Sequence, residues 1–307
     1  MLRTILYRLL VSIVVLLCTL TLVFFLLHLL PGDPINIKIA GNPVSPEVVA
    51  KLKHEFGLDQ PLYKQYLQYL GKVFRGDFGK SLVDNEPVMT KLMAQFPATL
   101  ALTSLSMAIS VVFGVLLGVV SAVYRHRSLD HLIRLLSIFG ISMPTFWVAI
   151  LLVLLFSVNL QWLPASGVGG FQYLILPAAT MGIVGSGLIA RMVRGSILEV
   201  VHEPFVRTLR AKGLPERTVM YQHVLRNALI PAVTMMGMLL GELLAGAVVI
   251  ESVFARQGVG RVILDAILAK DLPVVQGAIL LTASIYILVN LLVDLSYAII
   301  DPRIRQG

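Results

Sequence analysis

The chain has 307 residues, 57% of them hydrophobic and only 14% charged, with a mean hydropathy of +0.86. Soluble domains carry about 25% charged residues, so this chain lacks the polar groups to cover a soluble surface and takes lipid as its solvent for much of its length. The net charge of +8 does not point to nucleic acid, because the basic residues flank apolar runs and form no aromatic-interleaved stripe. The single Cys18 excludes an intramolecular disulfide framework and a cysteine-based metal cluster.

Crossing roughly 30 Å of hydrocarbon takes about 20 apolar residues, and six runs qualify, near 9–30, 98–124, 133–157, 173–195, 229–250 and 276–300. The first begins after Arg3 and Arg8. It is longer than a signal-peptide core and no small-x-small cleavage pattern follows, so it reads as a retained span. The segment 31–97 carries its own helical signals. Ser45-Pro46-Glu47 opens a helix that Gly57 closes, and a second helix follows Pro61 with Tyr63, Tyr66, Leu67 and Leu70 near one face. Both an amphipathic pair lying on the membrane and a small cap fit that pattern. The fourth run is interrupted by Pro177, Gly182, Gly185 and Gly187, which predicts buried surroundings, since neighbouring helices must satisfy any freed backbone groups.

The orientation follows from Lys and Arg in the short loops. Fourteen fall on one side: Arg3, Arg8, Arg125, Arg127, Arg134, Arg191, Arg194, Arg207, Arg210, Lys212, Arg217, Arg226, Arg303 and Arg305. The opposite short loops hold Arg256, Arg261 and Lys270. Both termini are therefore expected in the cytoplasm, with 31–97, 158–172 and 251–275 facing outward.

No G-x-x-x-x-G-K-[ST] and no G-x-G-x-x-G occurs, so this chain has no phosphate cradle of its own. Gly185-Ser186-Gly187 resembles a nucleophile in a span, but no histidine falls within the later spans to act as its base. Small residues at helix crossings account for it better, as they do for Gly114-x-x-x-Gly118 and Gly237-x-x-x-Gly241.

The loop between runs four and five is the most informative segment. Pro204 suits a helix start; Phe205, Val206 and Leu209 fall near one face, and Arg207, Arg210 and Lys212 elsewhere. Lys212 favours a helix C-terminus and Gly213 a left-handed cap. Pro215 then opens another helix with Glu216 in its first turn. Such a short amphipathic helix fits a groove on a partner protein and an anionic lipid surface equally well.

The run Arg207-Thr-Leu-Arg-Ala-Lys-Gly213-Leu-Pro-Glu, followed by His223-Val-Leu-Arg-Asn-Ala-Leu-Ile-Pro231, resembles the cytoplasmic EAA-type loop of ATP-binding-cassette importer permeases of the dipeptide/oligopeptide/nickel family. Blocks along nearly the whole chain agree, among them Leu30-Pro-Gly-Asp-Pro34, Gly57-Leu-Asp-Gln-Pro-Leu62, Ser142-Met-Pro144, Glu251-Ser-Val-Phe254 and Asp301-Pro-Arg-Ile-Arg305. The chain departs from the general motif at Arg207, Thr208 and Leu209, which replace Glu-Ala-Ala, and at Gln257, where a proline is common.

The resemblance implies an all-α membrane protein with six transmembrane helices in the type I ABC importer permease fold. Residues 1–30 would hold the first span, 31–97 an outward helical segment, 98–300 the transmembrane core with a coupling loop at 199–228, and 301–307 a cytoplasmic tail. It implies a transport function rather than catalysis, in a bacterial inner membrane. The expected partners are a second, homologous permease chain, two ATPase subunits that carry ATP and Mg, and an extracytoplasmic substrate-binding protein; this chain would bind no cofactor or metal of its own. Pro204, Phe205, Arg207, Leu209, Arg210, Lys212 and Gly213 would couple to the ATPase. A stand-alone secondary transporter would need internal repeats or a self-contained ion site, and the sequence displays neither.

Polar groups inside spans need a reason, since an ionised residue at a helix centre costs about 2.5–3.5 kcal/mol on insertion scales. Glu242 lies mid-span five, where it fits an interhelical hydrogen bond or a pathway lining. Asn290 and Asp294 share one face of span six, where Asp294 also fits a pair with an inner-side arginine. These three are the pathway candidates. Short peptides are the expected cargo; Gly241-Glu242-Leu243 resembles nickel permeases and keeps nickel or a metal chelate as the alternative.

Overall fold

Lipid offers no partner to a backbone N–H or C=O, so each apolar run must close its hydrogen bonds within itself. The computed structural model describes residues 2–29, 47 and 59–300, and among these the only extended pairing is an isolated bridge between Lys80 and Pro87. In chain order the helices are α1 Leu2–Leu29, α2 Leu62–Phe74, α3 Val88–Val123, α4 Ser128–Ser142 and α5 Thr145–Leu152, which continues as a π turn over Val153–Asn159. Then come α6 Gln172–Val200, α7 Pro204–Ala211 and α8 Glu216–Thr218, the last running through a π turn at Val219–Val224 into α9 Leu225–Ala228. The chain ends on α10 Ile230–Val253, α11 Val259–Leu268 and α12 Leu272–Ile300. The expected helix at 45–57 and the tail at 301–307 lie outside the described residues, apart from Glu47.

Four helices among the described residues are long and apolar enough to cross a membrane: α3, α6, α10 over Met235–Val253 and α12 over Leu272–Val293. The α4–α5 pair makes a fifth if a bent pair counts as one span, and α1 carries the shorter apolar stretch Leu9–Phe25. Two runs differ in detail from their outline in the sequence. The run 133–157 is not one straight helix but bends by 111° between Ser142 and Thr145. Pro144 has no N–H to continue the ladder and drives Met143 into extended backbone (φ −88°, ψ 136°). The boundary at 97/98 falls inside α3, which starts at Val88 and absorbs Pro97.

The chain divides into two compact units. One comprises Thr99–Arg256 and the residues from Leu288 onward. Its centre is α6, the most buried of the four spans, with 61% of its apolar window buried against 28–39% in the others. The glycines explain why. A Cβ on Gly114 of α3 would lie 2.5 Å from Ile189 Cβ, and one on Gly118 would lie 2.8 Å from Ala190 O. Gly185 and Gly187 make equally close approaches to Ser110 and Ser137, so the Gly-Ser-Gly trio is a helix crossing.

The other unit comprises Leu2–Ala98 and Gln257–Ile287, with Val23, Val88, Leu92, Val259, Val274 and Ala278 in its core. α2 packs on α1 through Tyr66, whose hydroxyl lies 2.6 Å from Thr21 Oγ1 and whose ring meets Phe24 edge-on at 5.3 Å. Tyr63 and Leu67, expected beside Tyr66, are exposed instead. Buried Asp271 accepts bonds from Ser81 Oγ at 2.5 Å and Leu82 N at 3.1 Å, pinning the 79–88 turn to the start of α12.

Candidate functional site

α7 begins with Pro204 at its first turn and ends at Lys212, where Gly213 adopts φ +80°. Gly213 N donates to Arg210 O at 2.9 Å and Leu214 N to Leu209 O at 3.3 Å. These are the two bonds of a Schellman cap, and glycine supplies the left-handed residue without a Cβ penalty. The corner is then braced by Arg210, which donates from Nε and Nη2 to Glu216 Oε2 and Oε1 at 3.0 and 2.6 Å. That hydrogen bond, opposed by slight desolvation, holds the Glu216 carboxyl below its usual value.

The apolar face divides differently from the sequence expectation. Val206 is fully buried and Leu209 half-buried, both packed into the chain's own core beside the π turn at 219–224. Phe205 points away and is 38% exposed. One position along a helix is a 100° rotation, enough to separate Phe205 from Val206. Burying Val206 is worth about 1.5–3 kcal/mol and fixes α7 to the body of the chain. What faces solvent is Pro204, Phe205, Arg207, Thr208, Ala211 and Lys212. Arg210 is exposed too, but its guanidinium is engaged by Glu216.

A second feature lies in the same unit. Where α4 and α5 part at the Pro144 bend, a cavity of about 310 Å³ opens, lined by Ile141, Thr145, Met181, Leu239, Glu242 and Gly246 among others. Glu242 sits near the middle of α10, is exposed into this space, and makes no hydrogen bond or ion pair among the described residues. Asn290 is not in the lining; its Oδ1 packs over the bare Gly237, 3.2 Å from where a Cβ would stand. The side chain of Asp294 lies outside the described residues. The three pathway candidates are therefore not gathered: Glu242 reaches the cavity and Asn290 serves a helix contact.

The sequence reading missed three buried carboxylates. Asp130 accepts two bonds from Arg194 at 2.8 and 3.0 Å, one from Ser121 Oγ at 2.6 Å and one from His126 N at 3.1 Å. It thereby ties the end of α3, the turn after it and α6 to the start of α4. Glu251 is fully buried and accepts from Thr99 Oγ1 at 2.6 Å, and Asp271 has been described above. A lone acidic residue amid Arg125, Arg127 and Arg134 was the available signal for Asp130.

Residues 114–306 match the family described as binding-protein-dependent transport system inner membrane component, and residues 1–103 its N-terminal family. The chain is 45% identical over 305 residues to a glutathione transport system permease protein GsiC of Salmonella paratyphi A, covering 99% of each, and 43% identical to that of Escherichia coli K12 at the same coverage. Among solved structures it is similar to the inward-facing MetNI methionine ABC transporter, with a TM-score of 0.60 at 19% identity over 70% of this chain and 99% of that one. It is also similar to an amino acid ABC transporter with histidines, with a TM-score of 0.52 at 15% identity over 70% of this chain and 94% of that one. The family matches take in residues 1–103 and 114–306 and the near relatives cover 99% of the chain, so this protein belongs to the binding-protein-dependent inner membrane components, as a multi-pass ABC importer permease of the dipeptide/oligopeptide family.

Proposed function

We propose that the chain is one half of a peptide-conducting pathway and takes its driving force from ATPase subunits through α7. The observation that carries this is the construction of the 204–216 corner. A helix anchored by Val206, closed by Gly213 and braced by Arg210–Glu216 presents Phe205, Arg207 and Lys212 outward on a rigid mount. An apolar side chain flanked by fixed cations suits a groove in a partner protein. A lipid surface would not require so stiff a corner.

In this reading six spans cross the membrane, with both termini in the cytoplasm and 31–97, 158–172 and 251–275 outside. A second permease chain completes the pathway, two ATPase subunits hold ATP and Mg, and a substrate-binding protein delivers cargo from outside. ATP-driven closure of the ATPase pair shifts the population between inward-open and outward-open pathways. Short peptides are favoured as cargo because the near relatives are named for glutathione, itself a tripeptide; the nickel alternative draws less support.

The test is ATP-dependent peptide uptake by the assembled complex carrying Gly213→Glu. A residue with a Cβ at φ +80° costs about 1–2 kcal/mol and disturbs the corner, so import falls at least several-fold while the complex still assembles. Wild-type import by that variant would remove the coupling role.

A further inference from the structure

We propose that Glu242 selects cargo by its positively charged amino group, an inference that rests on the peptide-permease reading above. Four other carboxylates of the chain are engaged: Asp130 by Arg194, Glu216 by Arg210, Glu251 by Thr99 and Asp271 by Ser81. Glu242 is different. It lies near the middle of a 24-residue apolar helix, points into a cavity, and has no partner among the described residues. Its surroundings are Ile141, Met181, Leu239 and the bare Gly246, with the Thr145 hydroxyl as a further polar group. A carboxylate beside apolar walls attracts a cation more strongly than one fully surrounded by bulk water.

The chemistry of the lining narrows the cation. An ammonium brings three N–H donors and is served by the two oxygens of one carboxylate, with a hydroxyl beside them. A bare divalent metal takes four to eight ligands and finds one carboxylate here, with a thioether and a hydroxyl. The space of about 310 Å³ is at the small end of ligand cavities, which run from about 300 to 1,000 Å³. It suits the amino-terminal part of a short peptide. The same negative charge repels an anionic terminus, so the cargo carboxylate would face away from α10.

The experiment uses the full complex in proteoliposomes: this chain, its partner permease, the ATPase subunits and the binding protein. Uptake of a radiolabelled dipeptide is compared with that of its N-acetylated form, with binding-protein occupancy measured and matched for the two. The wild type should favour the free amine by about tenfold or more, the factor expected of one charge-assisted hydrogen bond. Glu242→Gln should bring the ratio near one, and Glu242→Asp should keep most of it. Equal wild-type import of the two cargoes overturns the proposal without any variant. So does a Gln variant, assembled with its partners, that keeps the wild-type ratio; that result leaves the permease reading standing. A wild-type complex that imports neither cargo overturns the peptide-permease reading and this inference together.

Discussion

Arg210 and Glu216 face each other across the turn at Gly213 in a two-pronged pair, Nε to Oε2 at 3.0 Å and Nη2 to Oε1 at 2.6 Å. Both side chains are more than a third exposed, so the pair contributes under ~1 kcal/mol to stability once solvent screening is counted. Its role is to hold the corner. Glu216→Gln should leave the melting temperature of the complex nearly unchanged while lowering peptide import several-fold. The pH dependence has a definite sign. The folded Glu216 carboxyl is depressed by Arg210, so the pair's contribution is complete above the ordinary glutamate value and is lost as pH falls through the depressed one. Hydrogen exchange at Gly213–Thr218 should therefore be flat from pH 7 down to the glutamate range, after correction for intrinsic rates, and rise below it.

Asp130 is buried and accepts bonds from Arg194, Ser121 Oγ and His126 N. Asp130→Asn removes a charge opposite Arg194, whose side chain is only 19% exposed, and breaks a buried pair. Losing one partner of a buried pair costs about 3–5 kcal/mol, which should appear as a large drop in the melting temperature of the purified complex. Asp130→Asn with Arg194→Gln should recover part of that loss.

Gly118 and Gly195 give opposite expectations on nearby helices. A side chain at Gly118 meets Ala190 O and Val193, so Gly118→Leu should destabilise by about 1–3 kcal/mol or more. Gly195 has open space around it on α6, and Gly195→Ala should stabilise by about 0.5–1 kcal/mol. Thermal unfolding of the two variants side by side checks both.

Gly246 tests the cavity without touching its charge. A Cβ there meets only Met181 Cε, at 3.5 Å, so Gly246→Leu fills space rather than forcing helices apart. Tripeptide import should fall about tenfold while dipeptide import falls less; equal effects on both would detach the cavity from the pathway.

Much of this was legible because the signals are local. Apolar length placed the helical runs, and Gly213 and Pro215 marked the corner, since cap geometry depends on a few consecutive residues. Pro144 was legible as a motif but not as a 111° bend, because the direction a chain takes after a proline depends on what it packs against. The inward turn of Val206 and outward turn of Phe205 depended on where α7 meets the π turn, a contact between residues far apart in sequence. Asp130–Arg194 and Ser81–Asp271 are separated by 64 and 190 positions, beyond any local pattern. Glu242 lines the cavity and Asn290 does not, since apolar patterning places a polar residue on a helix but does not fix what its face meets.

The central claim is that α7 hands work from an ATPase to the membrane helices. The direct measurement is a photo-reactive amino acid in place of Phe205, illuminated in membranes that contain the whole complex. The account predicts a single major adduct with the mass of this chain plus one ATPase subunit, formed with or without ATP. Adducts with lipid alone, from a complex shown to contain its ATPase, would contradict it.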